Sequence, residues 1–305
     1  MVVNLFVLER VTHLFLTEPR KYFQKTLAKE TSFEDQGLFT GQKAQIRLIP
    51  QPPNTGILFQ RIDLKNKPII PATLSNVKDA VRCTLLEKDS AVVQTPEHLL
   101  SAIFAFGVDN LLIEISGPEV PILDGSALPF FEMLEKAGLE EQSEKKDLYV
   151  LQKPIYYSHE EVQIVAIPSE SFQISYTLHY PHSQFLGTQF LHLKIDSSYK
   201  QTIAPARTFC LYDEIQPFLN QGVIKGGGLH NALIIKENEI LNPEGMRFSD
   251  EPVRHKILDL VGDLSLIGNR FLAHVIAIRS GHKGNASFAK LLEKMMMENL
   301  DAQLV

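Results

Sequence analysis

The 305-residue chain is poor in cysteine, carries no basic excess and contains no long apolar run. Its two cysteines, Cys83 and Cys210, stand far apart and form no C-x-x-C pair. That leaves no disulfide framework, suits a reducing compartment, and reads as two buried, unpaired thiols. The net charge of −6 lacks the basic face that displaces counterions from nucleic acid, so no nucleic-acid partner is expected. No stretch approaches the ~18–20 apolar residues that cross a bilayer, so no stable membrane span is expected, and a cytoplasmic location is. H-E-x-x-H is absent, which excludes the zincin arrangement. Gly226-Gly227-Gly228 lacks the Lys-Ser/Thr of a phosphate-binding P-loop and reads as a tight turn.

What remains is an ordinary globular composition, 44% apolar and 22% charged, with no low-complexity tract. Its length suits one large domain or two of common size. Along Met1–Arg20, Leu5, Leu8, Val11, Leu14 and Phe15 recur at helical spacing, interrupted by Glu9 and Glu18. Without an uninterrupted apolar core or a cleavage site this is not a secretory signal. Residues 1–21 are read as an extension of unknown role, with a helix lying on a membrane surface as the alternative.

Strands are predicted from Ala44 (AQIRLIP) and Gly56 (GILFQRI), a helix over Thr95–Phe106, a strand over Leu111–Ile115 and a helix over Pro129–Lys136 ending at Gly138. Glu140–Asp147 (EEQSEKKD) has no strong apolar member and reads as a linker. Beyond it the pattern begins again: strands at Tyr149–Tyr157, Glu161–Ile167 and Phe172–His179, helices at Tyr212–Asn220 and Pro252–Leu266, a strand at Leu272–Arg279 and a terminal helix. Each half has one long apolar helix with a histidine near its start, which suggests a duplicated α+β unit.

Chemistry concentrates in those two helices. Thr95 is a suitable N-cap and Pro96 suits the first helical position, so Glu97 and His98 fall in the first turn. The positive end of the helix dipole favours an ionised Glu97 and a neutral His98, the states of a general base and a metal ligand. In the second helix His255 and Asp259 are four residues apart and share a face, and Asp263 continues the stripe. The apolar residues between them indicate a buried helix, where a carboxylate needs a partner or a metal. One histidine plus a His/Asp pair gives three N/O ligands, the pattern of a zinc site that keeps its fourth position for water. His282 in Ser280-Gly281-His282 ends an apolar strand. Arg207-Thr208-Phe209 offers a cation and a hydroxyl beside a helix start.

Together these segments resemble the UDP-3-O-acyl-N-acetylglucosamine deacetylases of lipid A synthesis. The resemblance rests on GLFTG (Gly37–Gly41), PEHLLSA (Pro96–Ala102), DNLLIEISGPEVPILDGSA (Asp109–Ala127), ARTF (Ala206–Phe209), GGGLHNALI (Gly226–Ile234), RFSDEPVRHKILDLVGDLSLIG (Arg247–Gly268) and SGH (Ser280–His282), in family order from about Tyr22 to near the C-terminus. ISYTLHYP and DEPVRHKILDL are most similar to chlamydial-type members.

The resemblance implies an α+β fold of two similar domains, 22–141 and 148–305, each a layered sheet-and-helix unit, with the active site at their interface. It implies hydrolysis of the N-acetyl group of a UDP-linked acylated amino sugar by water, with acetate released, and a monomer in the cytoplasm. His98, His255 and Asp259 match the family's zinc ligands, with Fe2+ as the alternative ion. Glu97 matches its general base, His282 its second catalytic group, Asp263 the group orienting that imidazole, and Thr208 the hydroxyl at the oxyanion. Lys256 and Arg279 are expected at the acidic substrate or its diphosphate, Tyr180 near the uridine, and Phe209 beside the substrate. An apolar passage for the acyl chain is expected around His182–Phe190. One departure stands out: the family's Gly-Leu-His is Gly-Leu-Phe here, with Phe39 in place of a polar contact. The rival readings are a different zinc amidohydrolase and a non-catalytic zinc staple with Cys83 as its fourth ligand.

Overall fold

The computed structural model describes residues 20–302, with side chains described through 298, so the N-terminal extension lies outside the described residues apart from its last two positions. Those two, Arg20 and Lys21, open a strand, Arg20–Leu27.

The strands follow their burial patterns. In Lys43–Pro50, Ala44, Ile46 and Leu48 are buried while Lys43, Gln45 and Arg47 face water, the period-two alternation of a sheet with one covered face. Two five-stranded sheets result. The first runs Thr31–Gln36, Lys43–Pro50, Leu111–Ile115, Ile57–Arg61, Ile69–Pro71 in spatial order; the second runs Ile155–His159, Val162–Ile167, His274–Ile278, Gln173–Tyr180, Gly187–Lys194. In each, the last strand in sequence takes the centre. It pairs antiparallel with one neighbour and parallel with the other.

The α-helices of the described residues are α1 (Glu97–Phe106), α2 (Leu128–Ala137), α3 (Tyr199–Thr202), α4 (Tyr212–Asn220), α5 (Glu251–Ser265) and α6 (His282–Ala302). α1 precedes the central strand of the first sheet and α2 follows it; α5 and α6 stand the same way about the second. The same strand order, polarity and helix placement in both halves make the repeat an observed feature of the fold.

α1 and α5 pack against each other, and one continuous apolar core runs through both halves. Their approach is set by small residues. Ser101 Oγ donates to the Leu258 carbonyl at 2.8 Å. A Cβ on Gly262 would lie 2.2 Å from the Glu97 carbonyl oxygen, so this position accepts no side chain without moving the helix that bears Glu97 and His98.

The segment Glu140–Asp147 is not the irregular loop its composition suggests. It lies within the strand Leu139–Val150, which pairs antiparallel with Arg20–Leu27 and parallel with Phe271–Leu272. Its residues are mostly exposed, so no buried stripe marks the strand in the sequence. The backbone ladder, a Lys21–Asp147 ion pair and Lys145 over the Phe23 ring hold it instead.

Candidate metal centre and active site

The crossing of α1 and α5 brings three ligand groups together. His98, His255 and Asp259 are buried, and one ligand atom from each lies within 4.8 Å of the others. Asp259 Oδ1 is 3.3 Å from His255 Nε2 and 3.6 Å from His98 Nε2. His255 Nδ1–H donates to the Ala206 carbonyl at 3.1 Å, which leaves Nε2 as the free ligand atom. Asp259 Oδ1 and His98 Nδ1 are buried with no hydrogen-bond partner. Orphaned polar atoms are costly in a protein interior; a cation bound among these donors would satisfy Asp259 Oδ1, whereas His98 Nδ1 lies on the far side of its ring from the Nε2 that faces the cluster. Two imidazoles and a carboxylate are a donor set for zinc or ferrous iron. The residues fit a metal ion.

The protonation states agree with ligation. Burial depresses His255 to about 3, so its imidazole is neutral. Burial alone would raise Asp259, but Lys256, His255 and His282 outweigh it and hold the carboxyl well below its usual value. Lys256 Nζ sits 2.6 Å from Asp259 Oδ2; against its own burial, that carboxylate raises the ammonium above its ordinary range.

Glu97 stands beside this cluster, 2% exposed. Thr95 does not cap its helix: Pro96 occupies the N-cap position, and Thr95, at φ 58°, turns its hydroxyl to Glu119 Oε1 at 3.3 Å. The dipole argument for an ionised Glu97 is also outweighed. Burial pushes its carboxyl up to about 7, against the pull of His282 and His98. His282, at the start of α6, places Nε2 3.7 Å from Glu97 Oε1 and gives its Nδ1 proton to Asp263 Oδ2 at 2.9 Å. Burial disfavours the imidazolium, but Asp263, Asp259 and Glu97 together raise it to about 9.

These groups open on a cavity of about 410 Å³ walled by Leu38, Phe39, Ile122, Tyr180, Thr208 and Phe209. Thr208 is held by its neighbours: its N–H donates to the Gly125 carbonyl at 2.8 Å, and buried Arg207 pairs with Glu251 at 3.0 Å. Arg207 therefore anchors this loop to the first turn of α5. Phe209 packs edge-on between Tyr180 and His255, with ring centroids 6.1 and 6.2 Å away.

A family model described as UDP-3-O-acyl N-acetylglycosamine deacetylase matches residues 24–294. A Chlamydia pneumoniae UDP-3-O-acyl-N-acetylglucosamine deacetylase is 45% identical over 269 residues, 88% of this chain and 95% of the relative. The protein of that name from Chlamydia muridarum is 44% identical over 277 residues, 90% and 96% of the two chains. The chain belongs to the UDP-3-O-acyl-N-acetylglucosamine deacetylase family.

For a member of this deacetylase family, not every residue predicted at the site reaches the ligand cavity. Arg279 does not. It lies in an adjoining cavity of about 420 Å³, paired with Glu161 at 2.5 Å, and Lys256 and Tyr180 border both spaces. His182 lines that second cavity, whereas Phe190 is 64% exposed on an edge strand and walls neither. Apolar groups face the ligand cavity from Leu38, Phe39, Ile122 and Phe209 instead. Cys83 stays out of the ligand group: it accepts from Gln94 Nε2 at 3.4 Å, and burial pushes its thiol up to about 12. No fourth protein ligand joins the three among the described residues.

Four residues that the sequence did not single out build the site's surroundings. Thr84 and Asn285 donate to the two oxygens of Asp263 at 2.6 and 2.8 Å. Glu119 accepts from the Phe39 and Thr40 backbone N–H groups at 2.8 and 2.7 Å and fixes the Gly37–Gly41 loop. Glu251 receives Arg207. Only Asn285 carried a local signal, three residues beyond His282 on one helix face. The triple glycine is a close backbone approach: a Cβ on Gly226 would lie 2.0 Å from the Gly37 carbonyl oxygen.

Proposed function

We propose that the protein is a zinc-dependent amidohydrolase that removes the N-acetyl group of UDP-3-O-acyl-N-acetylglucosamine and releases acetate, in the pathway to lipid A. The observation that carries this reading is the buried His98–His255–Asp259 triangle facing Glu97 and His282 across one cavity, in a chain of this family. A zinc ion there supplies Lewis-acid polarisation and a more acidic water; ferrous iron would serve the same donors.

The remaining chemistry belongs to the side chains. Glu97 takes a proton from the attacking water at its carboxylate. Thr208 offers a hydroxyl donor to the oxyanion of the tetrahedral state. His282, protonated by virtue of Asp263, gives its Nε2 proton to the leaving amine. Lys256 keeps Asp259 anionic and, with Arg279 and Tyr180 in the adjoining cavity, offers positive charge and an aromatic edge to a nucleotide diphosphate. We read 22–141 and 148–305 as the two domains and the protein as a cytoplasmic monomer; no described helix is long and apolar enough to cross a membrane.

The test is acetate release from the UDP-acyl sugar against simple N-acetyl sugars. The expected kcat/KM ratio is at least about 100-fold in favour of the UDP-acyl sugar, because binding far from the reacting bond positions it. Equal rates would mean a different amidohydrolase.

The pH profile should be bell-shaped. Glu97 works deprotonated, so kcat/KM rises with pH through its pKa, about 7 without the ion. His282 works protonated, so the rate falls as pH rises through its pKa, about 9. A bound cation nearby lowers both limbs. His282→Gln should abolish the descending limb; a limb that survives that substitution belongs to another group.

A further inference from the structure

One hydroxyl from the first half of the chain reaches the Asp263–His282 pair supplied by the second. Thr84 is buried, and its carbonyl accepts from the Thr95 N–H at 2.9 Å immediately before α1. Its Oγ1 donates to Asp263 Oδ1 at 2.6 Å. A hydroxyl has one proton, so the 3.4 Å approach of Oγ1 to His282 Nδ1 is not a second donation. The Nδ1 proton goes to Asp263 Oδ2, which also receives Asn285. The carboxylate is thereby fixed at both oxygens, and it fixes the imidazole with Nε2 turned to Glu97. The Thr84 backbone N–H closes the set, 3.3 Å from Glu97 Oε2.

We propose that Thr84 is a positioning residue for the reaction: through Asp263 it sets the tautomer and plane of His282, and through its backbone it holds Glu97 opposite. This rests on the deacetylase reading above. Only the hydroxyl can be removed by substitution, and removal should act on turnover more than on substrate or metal binding, since Thr84 is not one of the ligand residues and does not itself line the cavity.

The experiment compares Thr84→Val, close in shape without the hydroxyl, with Thr84→Ser, which keeps it; Thr84→Ala is read in the same way if the valine variant does not fold. Thr84→Val should lower kcat roughly 10–100-fold with KM near wild type and zinc content unchanged, and Thr84→Ser should recover most of the loss. A second readout needs no turnover. In zinc-loaded protein labelled with 15N-histidine, the His282 Nδ1–H signal should be protected from solvent exchange in wild type and Thr84→Ser, and exchange rapidly in Thr84→Val. Wild-type kcat with a protected proton in Thr84→Val overturns the proposal, and so does a Thr84→Ser variant as impaired as Thr84→Val. An inactive wild type with the predicted exchange pattern counts against the substrate instead and leaves the positioning role supported.

Discussion

Glu97→Ala should lower turnover roughly 10²–10⁴-fold while the protein retains one zinc per chain. The two outcomes separate because Glu97 adjoins the ligand cluster without belonging to it. Its backbone is fixed by the α1–α5 contact at Gly262, so removing the carboxylate leaves His98 in place. Truncation also relieves a buried carboxyl whose ionisation is disfavoured, so the fold should not suffer. The loss should appear in kcat with KM little changed, as expected for an interaction made in the transition state. A variant that loses zinc with its activity would make Glu97 a ligand instead of a base.

His255→Ala should lose zinc and, with it, turnover. Its Nε2 faces Asp259 Oδ1 while Ala206 holds the opposite ring nitrogen, so the imidazole is preorganised as well as neutral. Removing it leaves one histidine and a carboxylate that Lys256 already neutralises in part. The loss in metal affinity should exceed the roughly 10–100-fold that follows from disturbing a ligand's supporting hydrogen bond. Metal analysis after gel filtration in chelator-free buffer reads it directly.

Helical periodicity made much of this site legible. The four-residue spacing of His255 and Asp259 on an apolar helix already required a partner for a buried carboxylate. That His98 would meet them depended on the crossing of α1 and α5, which Ser101 and Gly262 set and no period encodes. Local rules failed where long-range contacts decide. Thr95 matched the N-cap pattern but was recruited by Glu119, and the charged run Glu140–Asp147 became a strand because a partner strand satisfied its backbone. Thr84 was invisible for the same reason: its partner Asp263 lies in the other half of the chain. The duplication, faint in two loosely similar helices, became plain in the matched sheet orders.

Zinc content measured beside acetate release from the UDP-acyl sugar, for wild type, Glu97→Ala and His255→Ala, tests the central claim most directly. The expected pattern is one ion and full activity, one ion and almost none, and loss of both. Near-normal turnover in Glu97→Ala, or zinc retained at full occupancy in His255→Ala, would contradict it.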